Sequence, residues 1–252
     1  MTEEDFKLLI DFHVKAERQG PGSDAETEKA LSFTAFDGIE KLKVADIGCG
    51  SGAQTFALAN ALVNAEITAV DLFSEFLMQL NLKAVQNNFD DRIKTLKESM
   101  DQLSFREEEF DLIWSEGAIY NIGFKKGLEE WKKYLKTGGY IAVSEITWLT
   151  GTRPSEIEEY WNAAYPEIDT ASNKMKTMEE LGYQPVGYFP LKQESWLKNY
   201  YGPMEDRFAS FLEDNDHSEK AKNLVEQEKG EIQMYQKFKD YYSYGFYIAK
   251  KV

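Results

Sequence analysis

From Leu42 to Thr147 the chain alternates short apolar runs with helix-forming stretches, and this rhythm constrains the fold more than any other feature. LKVADIG at 42–48, AEITAVDL at 65–72, RIKTL at 92–96, FDLIWSE at 110–116 and YIAVSEI at 140–146 read as short, buried strands. AQTFALANALV and SEFLMQLNLKAVQNN fill the first two intervals with helical patterning. Alternation at this pace predicts a mostly parallel sheet covered on both faces. The flanks follow a different pattern. Residues 1–19 predict an amphipathic helix, with Phe6, Leu9, Ile10 and His13 at three- and four-residue spacing. Gly20-Pro21-Gly22-Ser23 breaks it, and Ser23 caps a second helix expected to run to about Phe36. After Thr147 the alternation fails: PSEIEEYWNAAYP and NKMKTMEELGY read as helices, QPVGYFPL as a strand, Asp206 to Asp240 as one long charged helical region, and YYSYGFYIAKK as a final strand.

Asp46-Ile47-Gly48-Cys49-Gly50-Ser51-Gly52 falls where the first strand turns into a helix. Glycines there permit positive φ and let a ligand approach the main chain. About 20 residues further on, Asp71 ends the second strand, where a carboxylate can accept hydrogen bonds from ribose hydroxyls. Together these features point to a nucleoside-containing cofactor. Gly48, Gly50 and Ala53 formally satisfy a dinucleotide fingerprint. Asp46, two residues before the first glycine, would lie close to a pyrophosphate, yet it suits the ammonium of a methionine moiety. S-adenosylmethionine carries that ammonium, has no phosphate, and leaves both ribose hydroxyls free for Asp71.

VADIGCGSG resembles motif I of the class I S-adenosylmethionine-dependent methyltransferases, AVDL their acidic end of strand two, and LKTGGYIAVSE the hairpin before their strand five. ESMDQLSF sits where that family has its adenine-pocket segment, departing from it at Glu98, Ser99, Met100 and Ser104. RQGPGS, GAQT and WSEGAIYNIGF are similar to segments of a bacterial branch with small-molecule-type caps, and the joint resemblance covers roughly residues 10–200. It implies an α/β, Rossmann-like doubly wound fold: a mostly parallel seven-stranded sheet with an antiparallel last strand and a helical cap. One methyltransferase domain would span 1–252, with a helical lid at 1–36, a cofactor core at 42–147, cap elements at 148–240 and the final strand at 241–252. The implied cofactor is S-adenosylmethionine, contacted by Asp46, Gly48, Cys49, Gly50, Gly52, Asp71, Leu72, Ser99, Met100 and Ser115.

Methyl transfer from a sulfonium is an in-line displacement in which the cofactor supplies the activation, so no particular catalytic side chain is required. Glu116 and Tyr120 follow the fourth strand, and His13 lies on the first helix; these three are the candidate catalytic residues. Glu116 reads either as a base, orienting group or cofactor contact, or as a first-turn helix acid. His13 reads equally as a structural histidine. Arg18 and Gln19 would supply donors from the lid. Trp148, Tyr200 and Tyr201 are the candidate acceptor contacts among many cap aromatics that read mainly as core. His217 and the acidic stretch from Glu205 to Glu231 read as solvated surface.

Lys and Arg number 29 against 44 Asp and Glu, a net charge of −15. That balance disfavours nucleic acid and anionic membrane surfaces and favours a small-molecule partner. One cysteine and two histidines leave no soft-ligand metal site. No apolar run approaches the roughly 20 residues that span a bilayer. With an amino terminus lacking a secretory pattern, a cytoplasmic enzyme is expected. Two other functions fit parts of the pattern: a non-catalytic sensor of S-adenosylmethionine or S-adenosylhomocysteine, and an NAD-dependent oxidoreductase.

Overall fold

The computed structural model describes residues 3–252. In chain order the elements are α1 (Glu3–His13), α2 (Asp24–Leu31), β1 (Leu42–Ile47), α3 (Ala53–Ala61), β2 (Ala65–Asp71), α4 (Ser74–Gln86), β3 (Ile93–Lys97), β4 (Phe110–Glu116), α5 (Phe124–Trp131), β5 (Leu135–Trp148) and α6 (Ser155–Ala164). There follow β6 (Asp169–Thr170), α7 (Ala171–Glu180), β7 (Tyr183–Pro190), α8 (Gln193–Trp196), α9 (Gly202–Asp214), α10 (Glu219–Phe238) and β8 (Tyr242–Lys251).

The main sheet runs β3-β2-β1-β4-β5-β8-β7, with the two-residue β6 added beside β5. β1 to β5 are mutually parallel, and β8 is antiparallel to both β5 and β7. The last strand is therefore antiparallel as expected, but it lies inside the sheet, and β7 forms the edge. Its composition accounts for the position. Phe246 and Ile248 pack with Leu58, Leu77 and Leu80 on one face. Tyr247 and Ala249 pack with Phe124, Leu128 and Trp131 on the other. A strand with apolar residues on both faces is most stable between two neighbours.

A third core builds the cap. Phe12, Trp148, Trp196, Tyr201, Phe208, Phe211, Tyr235 and Tyr242 are buried together there. This cluster ties α1 to α9 and α10.

Three helix boundaries differ from the sequence expectation, the simplest being α2, which ends at Leu31 rather than near Phe36. α1 ends at His13 rather than near residue 19, because side chains satisfy its last carbonyls: Gln19 Nε2 donates to His13 O and Ala16 O, both at 3.2 Å. The charged region 206–240 is two helices, split where Asp216 and His217 take left-handed backbone (φ 51° and 48°) and Ser218 caps α10 by accepting from Ala221 N.

Candidate functional site

The chain leaves β1 for β2 and β3, then returns to β4 on the other side of β1. Such a switch point opens a crevice at the carboxyl ends of the two diverging strands. Asp46 is paired with Trp114 there, so the glycine loop after β1 and the Ser115–Glu116 end of β4 lie side by side. A cavity of about 640 Å³ occupies the crevice.

The loop is held from behind. Gly48 and Cys49 both donate to Val70 O, at 2.8 and 2.9 Å, which clamps the loop to the end of β2. Gly48 has φ 77°, and a Cβ on it would lie 2.4 Å from Ala118 Cβ, so only glycine lets the loop after β4 approach. Asp71 accepts from Gly50 N at 2.8 Å and from Phe73 N at 3.0 Å. Burial raises its pKa, and the main-chain donors of Phe73, Gly50 and Leu72 oppose the rise.

Asp46 is fully buried. It accepts from Thr55 Oγ1 at 2.6 Å and Gln54 Nε2 at 3.3 Å, both in the first turn of α3. Burial outweighs those two donors and pushes its pKa up to about 7. A cationic group nearby would lower it again, so the site suits a positively charged ligand better than a phosphate.

The segment after α1 crosses the mouth of the crevice. Gln19 Oε1 accepts from Ser51 N at 2.8 Å and lies 3.1 Å from Ser51 Oγ, whose proton is shared with the carbonyls of Ala16 and Glu17. Glu116 holds the next few residues. Its Oε1 accepts from Thr27 Oγ1 at 2.6 Å and Trp114 Nε1 at 2.9 Å, and its Oε2 from Arg18 at 3.4 Å. Burial raises the Glu116 pKa, opposed chiefly by the Arg18 charge. Arg18 also pairs with Asp24 at 2.6 Å.

Of the residues expected to contact cofactor, Gly48, Cys49, Gly50, Asp71, Leu72, Ser99 and Met100 line the cavity. Asp46, Gly52 and Ser115 do not. Asp46 is covered by Gln54, which does line it. Gly52, with φ 92°, caps α3 and packs toward Leu80, and Ser115 is fully buried with an unpartnered hydroxyl. Trp131 Nε1 donates to the Met100 carbonyl at 2.8 Å, which anchors the segment after β3. Cys49 is buried and its thiol is pushed up by burial, as fits a small turn residue.

Glu116, Tyr120 and His13 all reach the cavity. Among the acceptor candidates only Tyr200 does; Trp148 and Tyr201 are 5% and 1% exposed within the cap core, a correction to the sequence reading. The chain passes through a wide π turn at Leu197–Tyr201; the Tyr200 and Tyr201 rings stay in contact at 5.0 Å, Tyr200 bordering the cavity and Tyr201 buried in the core.

Sequence reasoning missed Ser51, Gln54, Thr27, Glu228 and Glu231. Glu228, which is buried, corrects the reading of the acidic stretch as wholly solvated; Glu231 is exposed as expected, but it too lines the cavity. Their three-residue spacing, interleaved with buried Val225, Ile232 and Tyr235, was the available signal. Among the described residues no group of three or more histidine, cysteine or carboxylate side chains is placed to hold a metal ion.

Residues 45–143 match the family described as "Methyltransferase domain". Erythromycin 3''-O-methyltransferase of Saccharopolyspora erythraea is 33% identical over 128 residues, covering 49% of this chain and 41% of that protein. Demethylmenaquinone methyltransferase of Bacteroides fragilis is 28% identical over 107 residues, 42% of this chain and 43% of that protein. The chain thus spans less than half the length of these curated relatives. A SAM-dependent methyltransferase from Geobacter sulfurreducens, crystallised with S-adenosyl-L-homocysteine, shares the fold with a TM-score of 0.83 at 17% identity, over 100% of this chain and 99% of that one. Residues 45–143 thus match a methyltransferase domain, and the chain as a whole shares its fold with a solved S-adenosylmethionine-dependent methyltransferase.

Proposed function

We propose that this chain transfers a methyl group from S-adenosylmethionine to a small-molecule acceptor, with both ligands in the crevice cavity. One observation carries the reading: Gly50, Asp71 and Met100 line the same continuous space as Glu116, Tyr120 and Tyr200. S-adenosylmethionine supplies a methyl carbon activated by its sulfonium. The protein's tasks are alignment and exclusion of water.

Asp71 accepts from the ribose hydroxyls, and Ser99 with the main chain of Met100 borders the adenine. Asp46 supplies negative charge behind the loop for the ammonium, with Gln54 between it and the cavity. Residues 14–23 act as a lid over this end, latched by Gln19 on Ser51 and by Arg18 on Glu116, which Thr27 of α2 also holds. In this scheme Glu116 is a positioning residue, because three donors already occupy its carboxylate. Tyr120 and His13 face the acceptor. One domain then carries the whole activity, with the cap from residue 148 onward closing the acceptor end.

No helix among the described residues is long and apolar enough to cross a membrane. Cytoplasmic operation on a diffusible acceptor, without nucleic acid or membrane partners, completes the proposal. Isothermal titration with S-adenosylmethionine, S-adenosylhomocysteine and NAD tests it. The two adenosyl ligands should bind and NAD should not; NAD binding in their place would restore the dinucleotide reading of Gly48, Gly50 and Ala53.

A further inference from the structure

We infer that the methyl acceptor carries a basic amine, and that Glu228 and Glu231 on α10 select it; the inference rests on the methyl-transfer reading above. The two residues lie three positions apart, on neighbouring points of one helical face, and both border the cavity. Their immediate partners are weak compensation for two adjacent carboxylates. Glu228 Oε1 lies 3.5 Å from His13 Nε2, and Glu231 Oε1 accepts from the Tyr201 hydroxyl at 2.9 Å. Among the described residues neither forms an ion pair with a lysine or arginine. Arg207 interacts electrostatically with Glu228, but its guanidinium lies over the Phe12 ring at 5.3 Å and donates to Pro203 O. Arg18, the arginine of the cavity wall, is committed to Glu116 and Asp24.

Other polar atoms at this end also lack partners. His13 Nδ1 is buried without a hydrogen bond. The hydroxyl of Tyr200, a half-buried residue bordering the cavity, forms no hydrogen bond with the described residues. Burial, and then the neighbouring Glu228, raise the pKa of Glu231. Two carboxylates facing one cavity repel each other, and a cation bound between them relieves that repulsion.

His13, Glu228 and Glu231 are not arranged to hold a metal ion. Phe6, Leu9, Ile10 and the ring of Tyr120 give the cavity apolar and aromatic surface, alongside polar residues such as Arg18, Glu116 and Asn121. An ammonium on an apolar body satisfies both halves. Its charge meets the two carboxylates, its N–H groups reach free acceptors, and its carbon frame covers Leu9 and Ile10. Tyrosine faces add attraction for a cation. A carboxylate or phosphate acceptor would be repelled, and an alcohol would leave the carboxylates uncompensated.

The test titrates the protein saturated with S-adenosylhomocysteine against two isosteric sets: phenethylamine, 2-phenylethanol and phenylacetate, then hexylamine, hexanol and hexanoate. In at least one set the amine should bind about tenfold or more tighter than its isosteres, the scale of a hydrogen-bonded charge. The Glu228→Gln/Glu231→Gln double variant should lose that preference and keep its affinity for S-adenosylhomocysteine within about twofold. The single variant Glu231→Gln, read in the same way, serves if the double variant does not fold. Equal or tighter binding of an alcohol or carboxylate, no binding by any member, or a preference that survives the substitutions overturns the inference. Failure of the wild-type protein to bind S-adenosylhomocysteine would instead count against the methyl-transfer reading.

Discussion

Replacing Glu116 by glutamine preserves shape and removes one charge, so it separates a latch from a base. The glutamine oxygen can still accept from Thr27 and Trp114, which both use Oε1. Its amide nitrogen then faces the Arg18 guanidinium, donor against donor. Arg18 retains Asp24, but that side chain is 72% exposed and its charge is well screened. Losing a hydrogen bond to a charged group costs about 1.5–3 kcal/mol. The Arg18 contact is long, at 3.4 Å, which places the expected loss near the lower figure. About 1.5 kcal/mol corresponds to roughly tenfold in the equilibrium that keeps the segment closed. If closure accompanies cofactor binding, affinity for S-adenosylhomocysteine should fall by about that factor. Amide hydrogen exchange across residues 14–23 should quicken, while global melting moves by only a few degrees, roughly 2–4 °C per kcal/mol for a chain of this size. Calorimetric titration and exchange mass spectrometry read the two effects. Turnover lost with affinity and exchange unchanged would make Glu116 the proton acceptor and refute the latch.

Asp71→Ala should weaken cofactor binding by about 1.5–3 kcal/mol through the lost ribose contacts; unchanged calorimetric affinity in a folded variant would contradict the assignment. Phe12 is 2% exposed, stacked with Phe208 and edge-on to Phe211, so Phe12→Ala should cost about 3–5 kcal/mol in urea unfolding. A loss below about 1 kcal/mol would show that α1 is dispensable to the cap, well short of the usual cavity cost. Asp46 holds its proton up to about pH 7, against 3.8 for the unfolded chain, so the stability it contributes is complete below about pH 4 and lost as pH rises through 7. Burial gives Glu145 the same sign over the same range. Asp46→Asn should therefore flatten part of the fall in ligand-free stability between pH 4 and 7; an unaltered slope in denaturation measured across that window would remove the argument.

What was legible in the sequence was local. Strand lengths, the glycine turn, Asp71 at the end of β2 and the Ser23 cap are each set by a few neighbouring residues whose backbone preferences act over one or two turns. Burial on both faces of β1 and β4 likewise follows from continuous apolar runs. The identity of each packing partner was not legible, because periodicity marks a buried face without saying what covers it. Phe12 was passed over beside Phe6, Leu9 and Ile10, yet it is the one that enters the cap core while those three line the cavity. Trp148 and Tyr201 look as ligand-like in sequence as Tyr200, yet tertiary packing buries the first two in the cap core and leaves only Tyr200 bordering the cavity. Glu116 meets Thr27 and Arg18 from 89 and 98 residues away, and Glu228 and Glu231 acquire their setting only when α10 folds across the crevice. The local pattern determined where a cofactor loop would form. Tertiary packing decided which charges came to face it, because carboxylates far apart in the chain share one cavity only after distant elements have closed around it.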